Sequence, residues 1–118
     1  MKRSISHANY TKDGQMHSYF FVRQDISPEQ QTVQGMHVSL ELGNCLTRRE
    51  TLGLNFVTCG VTDLQALEEI EFYLIQKEIP YILYRDSHFM NEITAIATFP
   101  VTGAQRELFK FGKLLKFK

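Results

Sequence analysis

Three times along this chain the same four-residue helix-start signal appears, a serine or threonine followed three places later by glutamine: Ser27-Pro28-Glu29-Gln30, Thr62-Asp63-Leu64-Gln65 and Thr102-Gly103-Ala104-Gln105. In such a box the hydroxyl accepts from a backbone N–H of the first helical turn while the amide reaches back to the cap residue, satisfying two otherwise unpaired donors. Each box follows a run rich in aromatic and β-branched residues: Ser18–Arg23 (SYFFVR), Leu54–Val61 (LNFVTCGV) and Ile93–Phe99 (ITAIATF). Behind the first box Pro28 suits the first helical position, Val33, Met36 and Leu40 repeat at helical spacing, and Gly43-Asn44 ends the helix. Behind the second, Leu64, Leu67, Ile70 and Leu74 form an apolar stripe that Pro80 stops, and Tyr81–Tyr84 (YILY) reads as the third strand in chain order. Behind the third, a short helix runs through Leu108 and Phe111 to Gly112, and Leu114–Phe117 reads as a final short strand. This alternation predicts an α/β chain, a three-layer α/β/α sandwich with a mixed, mostly parallel sheet of about four strands. The gap from Asp86 to Ile93 is too short for a crossover helix, so the third and fourth strands pair antiparallel.

A chain of 118 residues suits one domain with its own core. Residues 1–17 read as an N-terminal extension, with Asp13-Gly14 as the turn of a hairpin, and residues 18–118 as the domain proper. A hydrophobic share of 43% and a charged share of 22% are those of an ordinary soluble protein. No apolar run approaches the roughly 20 residues that cross a bilayer, and MKRSISHANY has no apolar stretch behind its charges, so a cytoplasmic location is expected. Cys45 and Cys59 belong to no disulfide framework, and His7, His17, His37 and His88 are scattered singly, so no metal site is indicated. The net charge of zero argues against gripping nucleic acid by bulk electrostatics. The charges are nevertheless segregated. Asp63, Glu68, Glu69, Glu71 and Glu78 outweigh Lys77 in the second helix region, whereas Arg106, Lys110, Lys113, Lys116 and Lys118 outweigh Glu107 at the end. Either the molecule has one acidic and one basic working face, or these are two solvated helix surfaces.

The junction after the first strand is the most informative place for chemistry, because ligands of open α/β sheets gather at the carboxyl ends of strands, where helix N-termini present free N–H groups. On the first helix Gln30, Gln34, His37 and Glu41 share a stripe about a quarter turn from Val33, Met36 and Leu40. His37 stands at the boundary between the two. It is placed to serve as acid, base or substrate orienter, or simply to hydrogen-bond a neighbour. Asp86 ends the third strand directly after Arg85; on the same rim it would orient His37 or hold a water, and otherwise it caps a turn or pairs with Arg85. There is no glycine-rich phosphate loop, nucleophile elbow or HExxH.

Taken in order, these segments resemble the type II peptidyl-tRNA hydrolases. That family has a strand with a VR-x-D-like step, a helix reading GKxxAQxxHA, a strand ending in RDAGxT, a TVLAIGP strand and a closing GHLKLL. Here FVRQDISPEQQTVQGMHVSLE places Gln34 and His37 on the family's glutamine and histidine, and ILYRDSHFMNEITAIATFP aligns Arg85, Asp86, Thr94, Ala97 and Pro100. The closing GKLLKF is similar to the family's last motif, and the resemblance runs over about residues 18–118. It implies an esterase that cleaves the bond between a peptide and the 3′ end of tRNA with water, needing no metal or cofactor. His37 and Asp86 would position or activate that water, Gln30 and Gln34 would hold the substrate, and Thr94 would line the rim. Arg23, Arg85 and the basic C-terminal helix would meet phosphates. The implied partners are peptidyl-tRNA or another RNA, and a second copy of the chain in a homodimer. The family's helix-start lysine and the glycine before it fall on Gln30 and Glu29, and its alanine, glycine and threonine after the aspartate fall on Ser87, His88 and Met90. The lost ammonium and hydroxyl would have stabilised developing charge. Two further readings follow: an impaired homologue acting as an RNA- or protein-binding module, and a small-molecule enzyme using His88 as its acid/base group.

Overall fold

Side chains along β1 (His17–Arg23) turn alternately to two separate cores. Tyr19 and Phe21 face one and Phe20 and Val22 the other, so the strand is buried on both sides. The computed structural model describes residues 15–111; the Asp13-Gly14 hairpin and the Leu114–Phe117 strand fall outside the described residues. After β1 come α1 (Pro28–Cys45), α2 (Arg48–Thr51), β2 (Asn55–Val61), α3 (Leu64–Gln76), β3 (Tyr81–Asp86) and β4 (Glu92–Thr98), with 3-10 turns at Ser87–Phe89 and Ala104–Phe109. Val38 and Leu42 of α1 pack on Phe20, Val22, Ala95, Ala97 and Phe99, while Leu67, Ile70 and Leu74 of α3 pack on Tyr19, Phe21, Cys59, Ile93 and Ile96. Each of the buried Val, Leu, Ile and Phe side chains among these contributes about 1.5–3 kcal/mol by leaving water.

The four strands lie in the order β2-β1-β4-β3. β1 runs parallel to β2, but β4 is antiparallel to both β1 and β3. The sheet is therefore mixed as expected, and the expectation that it is mostly parallel is corrected. The cause is the short Ser87–Asn91 link, which turns β4 back against β3 and lets it enter between β3 and β1. The carboxyl ends of β1, β2 and β3 consequently share one rim, where the N-terminus of α1 also begins.

Several local expectations are revised. Met16 is 2% exposed and His17 pairs with Asn55, so the last residues of the presumed extension belong to the domain. At the second box Asp63, not Thr62, is the cap, its Oδ1 accepting from the Ala66 N–H at 2.9 Å. The third box forms both reciprocal bonds, yet opens a 3-10 rather than an α-helix. The short α2, with a complete capping box between Thr47 and Glu50, was not foreseen.

The largest correction concerns α1. Its buried residues are Gln31, Gln34, Val38 and Leu42, whereas Val33, Met36 and Leu40 are 37%, 65% and 66% exposed. At about 100° per residue the two sets lie on opposite sides of the helix. The apolar stripe read from the sequence faces away from the sheet, and two glutamines face inward.

Candidate active site

Burial of Gln34 is tolerated because its amide is fully committed. Its Nε2 donates to Asp86 Oδ2 at 2.8 Å and to Gln30 Oε1 at 3.3 Å, and its Oε1 accepts from the Thr94 hydroxyl at 2.5 Å. Gln34 and Thr94 are both fully buried, and the Asp86 side chain is 13% exposed. The chain of bonds thus runs from the sheet interior through the helix to a carboxylate at the rim.

A β-bulge makes this contact possible. Tyr84 pairs with Ala95 and Arg85 with Ile93, so Thr94 is the extra residue on β4. Regular alternation would put Thr94 on the α3 side, with Ile96. Instead Ile93 belongs to the α3-side core, and Thr94 shares the α1 side with Ala95 and Ala97. The bulge turns one hydroxyl toward Gln34 without exposing it.

Asp86 is held at both oxygens. Besides Gln34 on Oδ2, its Oδ1 accepts from the His88 backbone N–H at 2.8 Å and lies 3.0 Å from His88 Nδ1. The Gln34 bond, followed by the His88 backbone bond, keeps the carboxyl ionised and lowers its pKa to about 2. A carboxylate so well satisfied is a poor proton acceptor at neutral pH.

His37 does not meet Asp86. Its ring lies flat on Tyr84, with centroids 4.7 Å apart and planes 4° from parallel, and the histidine is otherwise exposed. Tyr84 and Asp86 are two apart on β3 and share a face, so the stack sits beside the Asp86 carboxylate. Gln30 is at the helix start as expected; its N–H donates to Ser27 Oγ and its side-chain oxygen serves Gln34.

The expected phosphate contacts fare differently. Arg23 is 7% exposed and donates to both Asp25 oxygens at 2.9 Å, to Glu92 at 2.8 Å and to the Ile93 carbonyl. Asp25 chiefly, with Glu92, raises its pKa further, and Arg23 in turn lowers that of Asp25. Arg23 thus has two carboxylate partners and commits four of its five N–H donors within the fold. Arg85 is exposed and donates to the Asn91 carbonyl at 3.1 Å. Arg106 donates to the Tyr19 hydroxyl at 2.8 Å and Lys110 pairs with Glu107, placing both on the α3 face, away from Gln34 and Asp86.

Sequence reading missed the Thr94 bulge, the Tyr84 platform and Glu92 as the second partner of Arg23. The spacing of Tyr84 and Asp86 on one strand was the available signal for the platform; nothing in ITAIATF marks the bulge.

The chain matches no family model and no curated protein. Its fold is similar to that of a solved structure described as a protein of unknown function, Atu0240, from Agrobacterium tumefaciens strain C58, with a TM-score of 0.61 at 16% identity over 86% of this chain and 98% of that one. At that identity the likeness establishes a shared fold alone.

Proposed function

We propose that this chain is an ester hydrolase of the type II peptidyl-tRNA hydrolase kind, a cytoplasmic three-layer α/β/α sandwich that uses water and no cofactor. One observation carries the reading: the Thr94–Gln34–Asp86 chain of hydrogen bonds, built by a bulge and delivered to the rim where the carboxyl ends of the parallel-running strands meet the start of α1. Bulges and buried, fully partnered polar chains are costly to maintain in a small core and are frequent beside active sites. Next to this chain the His37–Tyr84 stack offers an exposed flat ring on which the terminal base of a tRNA 3′ end can lie; such stacking is worth about 1–3 kcal/mol per base. Gln30 supplies an amide where the family carries an ammonium, which leaves less stabilisation for developing negative charge and predicts a slow enzyme. The test is release of free tRNA from purified peptidyl-tRNA against a no-enzyme control. Wild type is expected to accelerate release and Gln34→Ala to lose at least tenfold of that acceleration; a folded wild type that matches the control ends this reading.

A second reading rests on the exposed stripe of α1. Val33, Met36 and Leu40, with the 58%-exposed Phe56 beside them, form an uncharged apolar strip suited to a protein partner or a second copy of the chain. Under this reading the chain is a binding module or homodimer, and Met36→Lys with Leu40→Glu shifts its sedimentation to that of a monomer.

A further inference from the structure

The histidine that meets Asp86 is His88. Asp86 Oδ1 accepts from the His88 backbone N–H at 2.8 Å and lies 3.0 Å from its Nδ1, while the side chain is 88% exposed. The backbone bond and the ring contact converge on the same carboxylate oxygen. The ionised Asp86 is an acceptor only, so a hydrogen bond at this contact requires the proton on Nδ1 and, in the neutral ring, leaves the lone pair on Nε2. The carboxylate is itself aimed: Oδ2 is held by Gln34, and Gln34 by Thr94. The turn that presents His88 is fixed as well. Asp86 caps the Ser87–Phe89 3-10 turn, and Met90 and Asn91 leave it with φ of 56° and 58°, in the left-handed region. The other charged groups nearby are committed elsewhere, Glu92 to Arg23 and Arg85 to the Asn91 carbonyl.

We propose that His88, oriented by Asp86, is the acid–base group of this site, with Gln34 and Thr94 as positioning residues and His37 as a stacking surface. The inference rests on the ester-hydrolase reading above. In the step it describes, Nε2 of His88 takes a proton from water as the water oxygen adds to the ester carbonyl carbon. The adduct collapses by breaking the bond to the ribose 3′ oxygen, and the His88 imidazolium returns the proton to that oxygen. The products are a free carboxylic acid and a free ribose hydroxyl, and His88 ends as it began. Asp86 stays ionised throughout, holding the ring in the Nδ1–H tautomer and stabilising the transient imidazolium.

The assignment is tested on the full chain by two independent measurements. The first is the tautomer, read from the ring nitrogen-15 shifts of His88. Wild type is expected to hold the Nδ1–H form and Asp86→Asn to lose that preference; a wild-type ring protonated on Nε2 alone overturns the dyad whatever the activity. The second is turnover of peptidyl-tRNA. His88→Ala should lower kcat about a hundredfold or more, with part of the loss restored by added imidazole. His37→Ala should raise KM with kcat within a few-fold of wild type. A wild type that hydrolyses the ester while His88→Ala keeps its rate overturns the dyad and leaves the hydrolase reading intact. A folded wild type that releases no tRNA overturns the hydrolase reading, and the catalytic role of His88 with it.

Discussion

Thr94 occupies a fully buried position where its hydroxyl supplies the donor for the Gln34 amide oxygen. Thr94→Val keeps the shape and removes that donor, leaving a buried acceptor unpaired at a cost of about 1–3 kcal/mol. Denaturant unfolding should show that loss, and Thr94→Ser should recover most of it; a valine variant as stable as wild type would mean that Gln34 is satisfied without Thr94. Asp86 makes a prediction with a defined sign. Its folded pKa lies near 2 against an ordinary 3.8, so its bonds to Gln34 and His88 stabilise the fold above about pH 4. That contribution fades as pH falls through about 2. The stability gap between wild type and Asp86→Asn should accordingly be widest near neutrality and close in that acid window; a gap independent of pH would place the effect elsewhere. The sequence made Gln34 and Asp86 legible through the order of segments, and their convergence follows from the α1 start and the β3 end sharing a rim. The orientation of Thr94 was not legible, since strand alternation assigns it to the wrong face and only the bulge corrects it. Nor was the partner of Asp86: a shared rim suggested His37, while the local turn at Ser87–Phe89 delivered His88.

At the scale of elements, α1 shows where a periodicity argument fails. Hydrophobic spacing selects the most apolar stripe, but a helix packs the face whose side chains find partners and fit the opposing surface. Here that surface is the Ala95–Ala97 stretch of β4 flanked by Phe20 and Val22, and it accepts Val38, Leu42 and two glutamines whose amide donors are bonded. Leu40 and Leu42 therefore form an internal comparison, the same residue type on the same helix, 66% and 1% exposed. Leu42→Ala should cost about 2–5 kcal/mol through lost burial and a cavity, whereas Leu40→Ala should stay within about 0.5 kcal/mol. Equal losses in denaturant melts would mean that the Val33–Met36–Leu40 stripe is covered in solution, and would favour the binding-module reading. The strands, by contrast, were legible to within a few residues, because β-branched and aromatic runs bounded by proline, glycine and capping residues leave little choice of element. The antiparallel run of β4 against β3 was legible too, from the short gap after Asp86; its place between β3 and β1 was not, since that gap fixes direction but not the second neighbour.

Across the whole molecule, charge placement bears on what reaches the rim. The net charge is zero, and the residues around the rim include Asp25, Glu29, Asp86 and Glu92 against Arg23 and Arg85. Arg23 is already neutralised by Asp25 and Glu92. Under the hydrolase reading, a polyanion such as tRNA would meet a slightly acidic mouth, with Arg85, exposed and bonded to a backbone carbonyl, as the cation best placed to meet a phosphate there. The basic C-terminal set expected to do so begins with Arg106 and Lys110, which the fold places on the α3 face. Counterion release ties each phosphate contact to the salt dependence of binding, at about one unit of slope in log affinity against log salt per contact. Measured from about 50 to about 200 mM salt, wild-type affinity for tRNA should be weak with a shallow slope. Arg85→Ala should reduce that slope by about one unit, and Arg106→Ala with Lys110→Ala should leave it unchanged. Glu29→Gln, which removes a carboxylate from the first turn of α1, should tighten binding modestly, because negative charge at the mouth repels the phosphates and its loss leaves the helix N-terminus more attractive to them. If the Arg106 and Lys110 pair flattens the slope as much as Arg85 does, the tRNA reaches the α3 face, and the rim is then one part of a larger contact surface.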